Sequence, residues 1–169
     1  STLGAAGHKV LQPLMPWGRG SWEQSDAMVE DCLAILDGHA AALRAQGARG
    51  IVLVGQSQGA CVALAYAAAR GTLAGLVLVS YGHNPLHRYY HTTEAARAQV
   101  DHARLRVAQG RGNEIVNGDD ENQTQHVSVH MPARVFLSWF DPRGPASFAA
   151  QASGVPANTP VLVVEGERD

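Results

Sequence analysis

Gly55-Gln56-Ser57-Gln58-Gly59 is the segment of this sequence best suited to chemistry. A Gly-x-Ser-x-Gly pattern alone is common by chance, but here four Ile, Leu or Val residues, Ile51 to Val54, run straight into it. Ala60 to Arg70 follows and is rich in strong helix formers, with Gly71 as its stop. Strand, sharp turn and helix together are the setting of a nucleophile elbow. A serine thrust out at such a corner takes a strained backbone. Side chains two residues before and after it would collide, so Gly55 and Gly59 are expected to keep the space clear. Ser57 is thus the candidate nucleophile. The Gln58 amide, in the first turn of the helix, is the candidate oxyanion donor, helped by the helix dipole.

The rest of the chain must position that corner. Ile51-Val52-Leu53-Val54, Leu76-Val77-Leu78-Val79 and Pro160-Val161-Leu162-Val163-Val164-Glu165 read as three strands buried on both faces, as in a parallel sheet. His8 to Met15 reads as a short strand weakened by Pro13. Ser21 to Gln46 reads as a helix. Ser21 and Gln24 form its capping box, and Met28, Cys32, Ile35, Leu36 and Leu43 lie on one stripe. Helices and strands alternate, so the fold class is α/β with a mainly parallel sheet. Between the second and third strands lie about eighty residues, far more than a crossover needs. They hold a helix at Thr92 to Gln109, a polar loop at Gly110 to Gln125, and a helix opening near Pro132. This gives a core of residues 1–80 and 160–169, with 81–159 as a helical insertion, or lid, over one end of the sheet.

Composition narrows the function. With 169 residues, 46% hydrophobic and 17% charged, the chain is globular and suits one core. A net charge of −2 offers no basic face to phosphate, so a nucleic-acid partner is not expected. The longest apolar run, Ala60 to Ala69, is too short to cross a bilayer. Two cysteines, Cys32 and Cys61, sit in apolar stretches and read as buried thiols rather than a disulfide framework. The sequence opens at Ser1 without an initiator Met and reads as an excerpt of a longer protein, so its opening says nothing of compartment.

At these residues the sequence resembles the α/β-hydrolase superfamily, and the resemblance extends over most of the chain. Ile51 to Arg70 looks like the family's strand, elbow and helix. Leu76 to Ser80 looks like its next strand, and Pro160 to Asp169 like its penultimate strand and acid turn. Pro13 to Ser21 looks like the loop after its fourth strand. Met-Pro-Trp at 15–17, Tyr-Gly-His-Asn-Pro at 81–85 and Phe-Asp-Pro-Arg-Gly-Pro-Ala at 140–146 are similar to a bacterial group of unassigned substrate. The resemblance implies that Asp169 is the acid that orients a catalytic histidine. It also implies that this histidine, a second oxyanion donor and a strand between Val10–Leu14 and Ile51–Val54 lie outside the sequence shown.

Other candidates read more plainly. Six of the eight histidines (His83, His87, His91, His102, His126 and His130) fall in the insertion, where one could swing over Ser57 as an internal base. His83, His87 and His91 are spaced by four, but Pro85 intervenes and no further ligand joins them, so they read as polar surface or lid histidines. Asp119-Asp120-Glu121 after Asn117-Gly118 reads as a solvated loop, not a calcium site. Arg97 and Asp101 read as an exposed helical pair. Trp17, Trp139 and Phe140 read as core aromatics or the floor of an acyl pocket.

The sequence thus predicts a serine hydrolase acting on a small-molecule carboxylic ester or related acyl compound, with no cofactor or metal. The alternatives are an acyltransferase using the same nucleophile and a non-catalytic scaffold that binds a ligand or partner.

Overall fold

The computed structural model describes every residue except 1, 19–21, 72, 123–124 and 167–169. Its elements in chain order are α1 (Thr2–Ala5), a 3-10 turn at Pro16–Gly18, another at Trp22–Gln24, α2 (Val29–Ala45), β1 (Val52–Gln56), α3 (Gln58–Arg70), β2 (Gly75–Val79), α4 (Pro85–His91), α5 (Glu94–Ala108), β3 (Ile115–Asn122), β4 (Gln125–Pro132), α6 (Ala133–Phe140), α7 (Phe148–Gln151), a 3-10 turn at Ala152–Gly154, and β5 (Val161–Val164). β1, β2 and β5 form a parallel sheet in that order, and β3 and β4 an antiparallel hairpin. The class is therefore mixed α/β, with a small three-stranded parallel sheet.

α3 is the hub, and its sequence explains why. Ala60 to Ala67 are all buried, so the helix is apolar all round. One stripe (Ala60, Ala63, Leu64, Ala67) packs on Leu76 and Leu78 of β2. The opposite stripe (Cys61, Val62, Ala65, Tyr66) enters a larger core with α2, α5, the hairpin and α6. Alanines let the sheet approach closely on one side while bulkier groups fill the other. The helix ends at Gly71, whose φ of +66° is the left-handed cap that glycine takes without cost.

The segment between β2 and β5 is built into this core. Phe136, Trp139 and Phe140 of α6 are 0–1% exposed, each worth about 1.5–3 kcal/mol of burial. Trp139 Nε1 donates to the Ala27 carbonyl at 3.0 Å. Ser138 Oγ accepts from the Val29 amide at 2.8 Å and donates to Glu30 at 3.0 Å. These bonds hold the start of α2, where the Met28 amide donates to Asp31 at 2.8 Å.

Several expectations change. The helix read from Ser21 begins at Val29 instead, and Ser21, with its proposed capping box, lies outside the described residues. His8 to Met15 is not a strand: Val10, Leu11 and Leu14 are 44–60% exposed, and Pro13 cannot donate to a ladder. The three parallel strands are not buried on both faces. Val52 and Val54, and all of β5, are 42–58% exposed, because α3 covers only one face.

The loop read at 110–125 holds β3 instead, with Asp119 opposite Ser128 and Asp120 opposite Val127. Gly118 does not make a turn, since a Cβ there would lie 2.6 Å from the Phe136 ring, so this glycine lets α6 close on the hairpin. Asp101 pairs with Arg104 (2.9 Å) and Tyr89 (2.8 Å), rather than with Arg97. Cys32 and Cys61 are buried free thiols. Burial pushes both to about 12, with Asp31 adding to the effect at Cys32 and Tyr81 opposing it at Cys61.

Arg104 ties α5 to the end of α6 by a two-point bond to Asp141, 2.8 Å at each oxygen. Burial alone would raise the Asp141 carboxyl, but the Arg104 bonds and the Arg143 amide outweigh it and hold the carboxyl below its ordinary value. A depressed folded value means the pair stabilises fully above the ordinary carboxylate range and is lost as pH falls through the folded value. Asp141→Asn should therefore cost roughly 1–3 kcal/mol at neutral pH, and thermal melts should show that deficit shrinking in acid. A deficit equal at pH 7 and pH 3 would refute the assignment.

Candidate functional site

The corner between β1 and α3 carries a residue of unusual geometry. Ser57 has φ +52° and ψ −121°, a region that side-chain-bearing residues rarely occupy. Such a conformation costs about 1–3 kcal/mol and persists only where the surroundings impose it. The Ser57 amide donates to the Val79 carbonyl at 3.0 Å, which extends the parallel ladder one step past β1. The Ser57 carbonyl accepts from the Ala60 amide at 2.9 Å, which starts the helix. Between these two anchors the residue is exposed.

Gly55 is required by this geometry. A Cβ on it would lie 2.2 Å from the Gly59 carbonyl oxygen and 2.8 Å from Ala60 Cα, with rigid backbone on the other side. Gly59 is different, and here the sequence expectation is corrected: a Cβ there meets nothing within 4 Å. Gly55 faces the helix start, whereas the Cβ direction at Gly59 points into open space. Of the two glycines, only the first keeps the corner from colliding with itself.

Gln58 is the first residue of α3, so its amide is one of the helix's leading N–H groups that have no partner within the helix. The helix dipole concentrates partial positive charge there. The arrangement can offer a hydroxyl and an adjacent N–H donor at the carboxyl end of a parallel sheet, where such sheets bind ligands. Asp169 lies outside the described residues. The strand leading toward it, β5, ends beside this corner's neighbour, since the Ser80 amide donates to the Val164 carbonyl at 2.8 Å.

The insertion histidines fall in different places. His83 is buried in the core, with its ring centroid 5.1 Å from Phe140 and 6.3 Å from Trp139. Its Nε2 lies 2.7 Å from the Trp139 carbonyl. A carbonyl only accepts, so Nε2 carries the proton. Burial holds this imidazole below its usual value, against an opposing pull from Asp120, and favours the neutral form. That nitrogen is committed to α6 rather than to Ser57. His87 and His91 stand together on α4, 5.4 Å between ring centroids, and His130 Nδ1 meets Asn117 at 2.8 Å on the hairpin. Among the described residues no three His, Cys, Asp or Glu side chains group as a metal site, and no helix is long and apolar enough to cross a membrane. Trp17 meets Trp139 edge-on at 5.6 Å, and Trp139 and Phe140 are core.

Sequence reasoning missed the loop after β2. Ser80 is the second non-glycine residue at positive φ, +44°, among the described residues. It turns the chain so that Gly82 comes beside the Ser57 hydroxyl. Tyr81, next in that loop, is edge-on to Phe148 at 4.8 Å, and its hydroxyl accepts from the Phe148 amide at 3.0 Å. Burial and the neighbouring Cys61 push the Tyr81 phenol up. The segment Tyr-Gly-His-Asn-Pro stood out in the sequence, but nothing in its residue types showed which member would border Ser57.

Compared with protein-family models, curated proteins and solved structures, the chain matches none.

The two glycines give opposite expectations. Gly55→Ala should destabilise by about 3 kcal/mol or more, because the clash is with backbone that cannot yield. Gly59→Ala should be neutral or stabilise by up to about 1 kcal/mol, since alanine suits a helix better. Chemical denaturation of both variants checks this, and equal losses would refute the geometry.

Proposed function

We propose that the protein is a serine hydrolase of the α/β-hydrolase type, cleaving a carboxylic ester through an acyl-enzyme on Ser57. The observation that carries the reading is the backbone of Ser57: a non-glycine residue at φ +52°, exposed, between the end of a parallel strand and the start of a helix. Strain of this kind gathers where a side chain must be presented for chemistry. The required glycine two residues earlier supports the reading, because it allows the helix to begin directly behind the hydroxyl. So does the sequence resemblance of the three strands and their connections.

In this reading Ser57 Oγ attacks the ester carbonyl while a histidine takes its proton. The resemblance puts that histidine after Asp169 in chain order, with Asp169 fixing its tautomer and stabilising its cation. The Gln58 amide donates to the oxyanion of the tetrahedral intermediate, and one further donor completes the pair. The intermediate expels the alcohol, which receives the proton from the histidine. Water, deprotonated by the same histidine, then attacks the acyl-enzyme and releases the acid. No cofactor is needed, because every proton and electron pair is supplied by ester, water and side chains. Residues 81–159 would border the substrate as the family's insertion does.

A fluorophosphonate probe should label the protein once, at Ser57, as read by peptide mass mapping. Ser57→Ala should abolish labelling and lower hydrolysis of p-nitrophenyl esters by a factor on the order of a thousand or more. Full activity in Ser57→Ala would end the proposal. Labelling at Ser57 with acyl transfer to an added alcohol outpacing hydrolysis would move the assignment to an acyltransferase.

A further inference from the structure

Gly82 borders the Ser57 hydroxyl from outside the β1–α3 corner. A Cβ built on it lies 3.7 Å from Ser57 Oγ and 3.9 Å from the Ser80 carbonyl oxygen, its two contacts within 4 Å among the described residues. Both are ordinary van der Waals distances, and the φ of Gly82 lies outside the left-handed region. A side chain there is compatible with the backbone and stands directly against the hydroxyl. Ser57 and Gly82 are both exposed, so a molecule arriving from solvent meets the two together.

The loop is held where it is from both sides. Before Gly82, the Ser80 amide donates to the Val164 carbonyl at 2.8 Å, and the Tyr81 hydroxyl accepts from the Phe148 amide at 3.0 Å. After it, the buried His83 donates from Nε2 to the Trp139 carbonyl at 2.7 Å, and its own carbonyl accepts from Cys61 Sγ at 3.5 Å. β5, α7, α6 and α3 each supply one of these partners. The separation of residue 82 from the hydroxyl is therefore set by the fold, and a side chain at 82 is not relieved by the loop drawing back.

A carbonyl carbon poised for attack lies about 3–3.5 Å from the nucleophilic oxygen. Groups bonded around that carbon come within contact range of a Cβ that is itself 3.7 Å from the same oxygen. A straight chain presents one carbon there, whereas a branched carbon presents two or three. We infer that position 82 determines specificity for bulk at the reacting centre: as glycine it admits esters branched at the carbon flanking the ester group, and a side chain in its place excludes these before it hinders their unbranched isomers. This rests on Ser57 being the nucleophile. The branch can stand on the acid or the alcohol side, and the same steric chemistry serves both.

The test uses the whole protein and two pairs of isomers. On the acid side these are p-nitrophenyl pentanoate and p-nitrophenyl 2,2-dimethylpropanoate, and on the alcohol side n-butyl and tert-butyl acetate. Each pair has one composition, so size and hydrophobicity change little while branching changes fully. Gly82→Val should lower kcat/KM for the branched member relative to the straight one by about tenfold or more in at least one pair, with Gly82→Ala lowering it less. The pair that responds identifies the side that lies against residue 82. The alanine variant, whose one added carbon makes only ordinary contacts, carries the test if the valine variant fails to fold.

Equal losses for both members of each pair, or no change in either ratio, in variants that a methyl fluorophosphonate still labels at Ser57 would overturn the role of position 82 and leave the nucleophile standing. So would an unaltered protein that already rejects both branched esters while hydrolysing the straight ones. Absence of Ser57-dependent hydrolysis in the unaltered protein would overturn both readings.

Discussion

Everything about the candidate site follows from how little room separates β1 from α3. The helix starts one residue after Ser57, and the Gly59 carbonyl lies where a Cβ on Gly55 would be, 2.2 Å away. A chain that turns so sharply cannot do so in ordinary backbone conformations, and Ser57 takes the strain at φ +52°. The compensation lies in α3 itself, buried on the sheet side and on the helical side at once. A helix gripped from both sides cannot slide or tilt to relieve its first residue, so the hydroxyl is held out by packing that lies mostly behind it.

The long segment between β2 and β5 matters to that grip. Its α6 supplies the largest fully buried side chains, and these pack against α2 and α3 in one core. Its polar bonds are placed at element ends: Ser138 on the Val29 amide, the Trp139 indole on the Ala27 carbonyl, Arg104 on Asp141. The Ser138 bond satisfies a buried amide, and leaving such a group unpaired costs more than the bond gains. Arg88 ties α4 to α5 and the hairpin, reaching the Ala96 and Asp119 carbonyls while its guanidinium lies 4.9 Å from the centre of the Phe140 ring. The segment between β2 and β5 is thus anchored in the interior, and the loop at Tyr81 to Asn84 is carried on that anchorage through His83.

Much of this was legible in the residues, for identifiable reasons. The three parallel strands announce themselves as unbroken aliphatic runs rich in valine, and α3 as alanine-rich helix closed by Gly71. The hairpin did not, although a signal was present: Val127, Val129 and Met131 alternate with His126, Ser128 and His130, the period of a strand with one buried face. The acidic run and the Asn117-Gly118 pair pointed the other way, because a glycine required by a ring 2.6 Å away looks in sequence the same as one required by a turn. The start of α2 was misread for a similar reason. Ser21 and Gln24 have the right types for a cap, but Ser138, 109 residues away from Val29, binds the amide at the true start. Local spacing cannot announce a partner so distant.

The same limit separates Ser57 from its surroundings. The strand-to-helix corner is a local device, with strand, glycine, serine and helix all within twenty residues, and so it is written in the sequence. What borders the hydroxyl comes from β2 and from the loop that follows it, which the fold alone brings alongside. There Ser80 repeats the pattern of Ser57: a serine just past the carboxyl end of a parallel strand, at φ +44°, its amide bonded to the next strand's carbonyl. Two adjacent strands each end in a residue held out of its ordinary backbone region. Together they cost about 2–6 kcal/mol, a large share of the stability of a domain this size. Both lie at one end of the sheet, and the second turns a bare glycine toward the hydroxyl presented by the first.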